Sequence, residues 1–192
     1  MDKYRSIDND RYLLENNLFG VSSLEELRDL EAIAFAARAA ELVSEKQFLE
    51  TFSEQSFKKL HFHLFQDVYK FAGEYRNVQL TKGNTRFCQA EFVASYATSL
   101  FAELNDEPAW KSVEEAADRL AYYKTELNLL HPFREGNGRT IRIFIHAFAL
   151  SRGITWHYEN IDREAYMHAM IQSAITTKPL NQLFVNTIAF NN

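Results

Sequence analysis

Residues 131–142 read His131-Pro132-Phe133-Arg134-Glu135-Gly136-Asn137-Gly138-Arg139-Thr140-Ile141-Arg142 and lead into the apolar stretch 141–150. The pattern predicts a loop that ends in a helix, and the glycines decide what that junction can do. Glycines just before a helix let successive N–H groups converge, and the first helical turn adds orphan donors and the positive end of its dipole. Gly136, Asn137 and Gly138 therefore form an anion nest suited to phosphate. Arg139 and Arg142 share a face near the helix start, where two guanidiniums can grip phosphate oxygens bidentately. They are poorly placed for stability alone, because cations at a helix N-terminus oppose the dipole. A local conflict of this kind marks a functional site.

The rest of the motif supplies a metal ligand and a base. Glu135 lies one residue before the nest, and a carboxylate beside phosphates suits Mg²⁺, which takes one or two carboxylates plus phosphate oxygens and water. His131 is the group in the motif suited to proton transfer near pH 7. Pro132 restricts the residue before it to extended geometry, which predicts an extended His131. Phe133 alternates with His131 and is expected to anchor the loop in the core. These parts fit phosphoryl or nucleotidyl transfer: nest and arginines stabilise phosphate charge, the metal bridges phosphates, and the base activates an incoming hydroxyl.

Outward from the motif the chain reads as mainly α. Residues 1–22 are irregular with one short helix. Residues 23–42 form a long amphipathic helix with Leu24, Leu27, Leu30, Ile33, Ala34 and Ala37 on its apolar stripe and a capping box at Ser23 and Glu26. A second helix spans 53–71, with Phe57, Leu60, Leu64, Phe65, Val68 and Phe71 inward. Residues 76–87 alternate on either side of Lys82-Gly83-Asn84 and predict a β-hairpin, the one clear β element. Helices follow at about 90–105, 112–129, 138–151, 162–174 and 179–189. The expected architecture is a helical bundle with one protruding hairpin. It forms a single domain over 1–192, with a core at about 53–175, an N-terminal helical extension over 1–52 and a C-terminal helix. His61, His63, His146 and His168 are read as surface or packing residues, and Trp156, Tyr158 and Tyr166 as core.

Bulk composition limits the alternatives. The formal net charge of −5 excludes the basic footprint of a nucleic-acid binder, and with six Gly and three Pro the chain has little of the turn chemistry of an all-β protein. The single Cys88 cannot form an internal disulfide, which points to a reducing cytoplasm. The first residues lack the apolar run of a signal peptide, and no apolar stretch reaches membrane-spanning length.

Residues 131–142 match every fixed position of HPFx[D/E]GNGRxxR, and in this the chain resembles the Fic (FIDO) family of bacterial AMP transferases. The segment FAGEYRNVQLTKGNTRF over 71–87 resembles that family's helix end and flap hairpin, at the right spacing from the motif. The resemblance implies a Fic-type fold and transfer of AMP from ATP to a Tyr, Ser or Thr hydroxyl of a target protein. His131 would deprotonate that hydroxyl, and Glu135 would hold Mg²⁺ between the α- and β-phosphates. Gly136, Asn137 and Gly138 would line the anion hole, and Arg139 and Arg142 would contact the β- and γ-phosphates. The flap residues Thr81, Lys82, Gly83, Asn84 and Thr85 would hold the target in extended form by strand addition. Related Doc kinases carry Lys in place of the Gly-Arg step, so Gly138-Arg139 favours AMP transfer over phosphorylation.

Family members are commonly silenced by a helix carrying [S/T]xxxE[G/N], whose Glu pairs with the second motif arginine, here Arg142. The predicted C-terminal helix contains no acidic residue, and Ser22 to Glu26 is followed by Leu27 rather than Gly or Asn. Thr155 to Asn160 matches literally but lies in the connection after the motif helix, and it is read as a chance match. The resemblance then implies the antitoxin-regulated type: the toxin of a toxin–antitoxin pair, held off by a small separate antitoxin. Residues 23–42 are its expected docking surface. Type II topoisomerases such as DNA gyrase are the expected targets. The expected location is the bacterial cytoplasm, or a host cell after delivery, with no membrane and no direct nucleic-acid contact. Alternatives that keep the site are UMP or phosphocholine transfer, de-AMPylation, or a catalytically silent interaction module.

Overall fold

In the computed structural model, which describes residues 7–44, 49, 51–83 and 85–191, the apolar periodicities become helices. These are α1 (Ile7–Glu15), α2 (Leu24–Ser44) and α3 (Glu54–Phe65). After the hairpin β1 (Thr81–Lys82) and β2 (Thr85–Arg86) come α4 (Val93–Asn105), α5 (Val113–Leu130) and α6 (Asn137–Ser151). Strand β3 (Ile154–Trp156) leads to α7 (Arg163–Gln172), α8 (Lys178–Thr187) and β4 (Ile188–Phe190). Side chains cap the starts of α2, α3, α5 and α7, while α4, α6 and α8 begin without such a bond. Ser53 Oγ accepts from the Ser56 N–H at 3.2 Å, Ser112 Oγ from Glu115 at 3.1 Å, and Asp162 Oδ1 from Ala165 at 2.8 Å. Ser23 Oγ accepts from the Glu26 N–H at 3.4 Å, as expected of a cap.

The core is aromatic and sits under the motif. Phe57 of α3 meets Phe101 of α4 at 5.4 Å between ring centroids, Phe133 of the motif at 5.3 Å and Phe144 of α6 at 5.0 Å. All four rings are buried, so the loop before α6 is fixed from below by Phe133, and helix α5 packs against both α6 and α8.

In secondary structure and helix facing, three elements depart from the sequence reading. First, α3 ends at Phe65 rather than at 71. The apolar stripe continues, with Val68 and Phe71 still buried, but through tight turns that leave Tyr69 in a β-bridge with Asn17. Second, there is a second strand pair. α8 stops at Thr187, and Ile188–Phe190 runs antiparallel to Ile154–Trp156 with Trp156 opposite Ile188. Strands this short carry too little alternation to register as a pattern. Third, the buried face of α2 is rotated from the expected stripe. Leu27 and Glu31 are buried while Ile33 is 69% exposed. Alanine-rich helices give a weak periodicity, and here a carboxylate occupies the inward position.

Candidate active site

The helix expected after the glycines begins at Asn137, with Gly136 as its N-cap at φ 77°. Only glycine fits there: a Cβ would lie 2.4 Å from the Phe65 ring, and the left-handed backbone adds strain for any other residue. Gly138 differs, since a Cβ at this exposed position would meet no protein atom within 4 Å. Protein packing does not explain that glycine. The first intrahelical donor is the Thr140 N–H, bonded to Gly136 O at 3.1 Å. The N–H groups of Asn137, Gly138 and Arg139 therefore form the orphan first turn. The Asn137 side chain turns inward: its Oδ1 accepts from the Phe133 N–H and its Nδ2 donates to Phe133 O, both at 2.8 Å. It splints the loop, and only its backbone contributes to the nest.

His131 is the one described non-glycine residue with positive φ, at 43°, and it closes α5 in left-handed geometry. The extended conformation expected from Pro132 is not adopted. Helix termination prevails over the pre-proline preference, and a buried guanidinium supports the strained turn. Arg76 donates from Nε to His131 O at 2.7 Å and from Nη2 to Leu130 O at 3.2 Å. The same guanidinium reaches Val78 O and Cys88 O at the neck of the hairpin, both at 2.6 Å. Backbone bonds from Arg76 N to Pro132 O at 2.7 Å and from Cys88 N to Leu129 O at 2.8 Å complete the joint. One residue thus ties flap and motif together.

The imidazole is equally fixed. Its Nδ1 lies 3.1 Å from Asn128 O and its ring stacks on Phe87 of the hairpin at 3.7 Å and 9°. A carbonyl can only accept, so Nδ1 carries the proton and the lone pair sits on Nε2. Burial pushes the imidazole down to about 3, opposed by the Asn128 carbonyl and Glu135 and assisted by Arg76 and Lys82. A neutral base at ordinary pH is the result.

Glu135 is buried, with Oε1 accepting from the Gly136 N–H at 2.8 Å and lying 3.5 Å from Arg139 Nη2. Among the described residues no group of His, Cys, Asp or Glu could hold a metal ion by itself. One carboxylate beside an anion nest suits Mg²⁺ shared with phosphate oxygens and water. Arg139 lies against the stacked pair Phe35 and Phe65, its Cζ 5.0 and 4.8 Å from the ring centroids, and its Nη2 donates to Glu31 Oε1. Arg142 donates from Nη1 to the Tyr158 hydroxyl at 3.0 Å. Glu159 is exposed and lies 3.2 Å from His157 Nδ1.

The hairpin holds Thr81 opposite Arg86 and Lys82 opposite Thr85, with Gly83 at φ 58° in the turn; Asn84 lies outside the described residues. Leu80 and Phe87 form a small core of their own with Val78, so the exposed Lys82 is carried on a rigid base.

Several residues that build the site escaped the sequence reading. Arg76 looked like the first residue of a hairpin. His61, read as a surface or packing residue, is the latter, and its polar role was not foreseen: its ring stacks on Phe133 at 3.7 Å, its Nδ1 accepts from the Gly73 N–H at 2.8 Å, and its Nε2 donates to Glu135 O at 3.0 Å. Its position one turn after Phe57 and one before Leu64 was the signal. Tyr158, read as core, is half-buried and holds Arg142. Arg134, at the motif's unspecified position, lies 3.7 Å from the centroid of Tyr12 and so docks α1 on the loop.

A model of the Fic/DOC family matches residues 51–149. The chain belongs to the Fic/DOC family. It is 35% identical over 159 residues to the protein adenylyltransferase VbhT of Bartonella schoenbuchensis, covering 82% of this chain and 33% of that protein. It therefore spans about a third of VbhT. It is 34% identical over 160 residues to "Probable protein adenylyltransferase y4lH" of Sinorhizobium fredii, covering 82% and 81%. Among solved structures, Bartonella tribocorum BepC with bound AMPPNP superposes with a TM-score of 0.80 at 19% identity, over 92% of both chains. The N-terminal Fic domain of a Bartonella quintana Bep effector with bound ADP gives 0.80 at 21%, over 92% and 91%. The Fic fold is thus shared nearly end to end, and no helix of the described residues is long and apolar enough to cross a membrane.

Proposed function

We propose that this Fic domain transfers AMP from ATP to a hydroxyl side chain of another protein. The observation that carries the reading is the neutral His131, with its lone pair on Nε2, set at the loop that leads into the arginine-bearing start of α6. In this reaction Nε2 takes the proton of the target hydroxyl. The hydroxyl oxygen bonds to the α-phosphorus, the bond from the α-phosphorus to the bridging oxygen breaks, and pyrophosphate leaves. Arg139, Arg142 and the orphan N–H groups of α6 meet the charge on the leaving phosphates. Glu135 is the residue that would hold Mg²⁺, which supplies charge neutralisation between phosphates when bound. The flap residues Thr81, Lys82, Gly83, Asn84 and Thr85 present an edge to which an extended target segment adds.

The regulatory part of the proposal follows from Arg142. Its partner is a neutral hydroxyl on Tyr158 rather than a carboxylate, so a glutamate delivered by a separate antitoxin has a cation to pair with. That supports control in trans by an antitoxin. The resemblance to antitoxin-regulated Fic proteins, not this contact, is the ground for proposing a type II topoisomerase such as DNA gyrase as target, in the bacterial cytoplasm or in a host cell. The test uses bacterial lysate and purified gyrase with ATP labelled at either the α- or the γ-phosphate. Protein-bound α-label with wild type and none with His131→Ala supports the reading. Protein-bound γ-label points to a kinase, and no label with any nucleotide ends the enzyme reading.

A further inference from the structure

Helix α2 lies outside residues 51–149, the stretch matched to the family, yet it enters the site through one buried carboxylate. Glu31 is 6% exposed and occupies the inward face of α2, where periodicity alone would place an apolar residue. Both its oxygens are engaged: Oε1 accepts from Arg139 Nη2, and Oε2 from the hydroxyl of Tyr69. Tyr69 is itself buried and held in a backbone bridge with Asn17. Burial and the neighbouring Glu31 push its phenol upward, so it stays a donor. The carboxylate is thus clamped before it touches Arg139.

We infer that Glu31 is a positioning residue for nucleotide phosphates: with Tyr69 behind it and the stacked rings of Phe35 and Phe65 against the guanidinium, it presents Arg139 to the phosphate site in one fixed orientation. The inference rests on the proposed nucleotide site. Two features favour positioning over a carboxylate that blocks the arginine. The pair uses Nη2 alone, which leaves the Nε and Nη1 donors of Arg139 to phosphate oxygens. Glu31 is also held by Tyr69 through Oε2, the oxygen that does not bond Arg139, so a phosphate on Nε and Nη1 need not displace the pair. Without Glu31 the arginine side chain must be ordered anew at each binding event.

Titration calorimetry of the full chain with ADP and with AMP tests this, using Glu31→Gln, Tyr69→Phe, Arg139→Ala and the double variant Glu31→Gln/Arg139→Ala. The isosteric Glu31→Gln is expected to keep a wild-type-like melt while its Kd for ADP rises about three- to tenfold. AMP, which lacks the β-phosphate, should bind with unchanged Kd. Tyr69→Phe should weaken ADP in the same direction but less. In the Arg139→Ala background, Glu31→Gln should have no further effect on ADP, since the two residues act as one unit. Tighter ADP binding by Glu31→Gln would identify a brake and overturn the inference. Additive effects in the double variant, or equal loss of ADP and AMP, would reduce Glu31 to scaffold. A wild type that binds no ADP brings down the nucleotide site itself. Additivity in a protein that does bind ADP brings down the Glu31 assignment alone.

Discussion

Replacing Arg76 with lysine is the perturbation whose outcome the structure constrains most tightly. The native guanidinium, 3% exposed, satisfies carbonyls of Val78, Cys88, Leu130 and His131 from three different nitrogens. Each buried carbonyl left without a partner costs about 1–3 kcal/mol. Losing the whole set therefore approaches the net stability of a domain, about 5–15 kcal/mol, so alanine would simply unfold the chain. Lysine keeps the charge but donates from a single atom and cannot span both the hairpin neck and the end of α5. With part of the set left unsatisfied, the loss is about 2–4 kcal/mol. At about 2–4 °C per kcal/mol for a chain of this size, the melting temperature falls on the order of 10 °C. The catalytic effect should exceed the stability effect. The left-handed turn of His131 loses its support, and misplacement of a reacting group by about 1 Å costs on the order of a hundredfold in rate. The phosphate site is built on α6 and should be spared. Arg76→Lys is thus expected to melt about 10 °C lower, to bind ADP nearly as wild type below that temperature, and to transfer AMP about a hundredfold more slowly. A wild-type melt, or a parallel loss of ADP binding and transfer, would refute the role given to Arg76.

Two further predictions follow from the glycines and from acid. Gly136→Ala should abolish soluble folded protein, because the new Cβ falls 2.4 Å from Phe65 at φ 77°. Gly138→Ala, with no protein atom within 4 Å, should keep its melting temperature while its Kd for ADP rises, a split read by melts and calorimetry. In acid, His131 and His61 are held neutral by burial, at about 3 and about 4. The unfolded chain binds their protons first, so the stabilisation is complete above about pH 6.5 and is lost as pH falls toward 4 and 3. Thermal melts should decline progressively as pH falls from about 6.5 to 4. Removing His61 alone, as His61→Asn, should make that decline shallower without moving its start, because His131 still takes up its proton first in the unfolded chain.

The motif was legible because its chemistry is local. Residues 131–142 write a helix start, a nest, a carboxylate and a base into consecutive positions, and the structure assembles them at the end of α5 and the start of α6. Helix order was legible for the same reason, since the stripes of α3 and α6 repeat at helical spacing. What sequence reasoning missed is whatever depends on partners distant along the chain. His131 departs from the pre-proline expectation because Arg76 stabilises its carbonyl from the foot of the hairpin. α2 is rotated because Arg139 attracts Glu31 across the fold, a preference no alanine-rich periodicity encodes. The β3–β4 pair joins segments on either side of α7 and α8 through strands too short to announce themselves. His61 lay on the stripe and was legible in principle, but its role on the Glu135 carbonyl needed the turn that follows α3.

In the proposed reaction His131 accepts the proton of a protein hydroxyl while AMP crosses to the oxygen. The most direct test is mass-spectrometric mapping of target protein after incubation with ATP and Mg²⁺, with wild type and with His131→Ala, both shown by calorimetry to bind ADP. The expected product is an adduct containing adenosine and a single phosphate, esterified to a Tyr, Ser or Thr oxygen. It should form with wild type and be absent with His131→Ala at equal ADP occupancy. An adduct of phosphate alone, or an adenosine-bearing adduct that persists in His131→Ala, would contradict it.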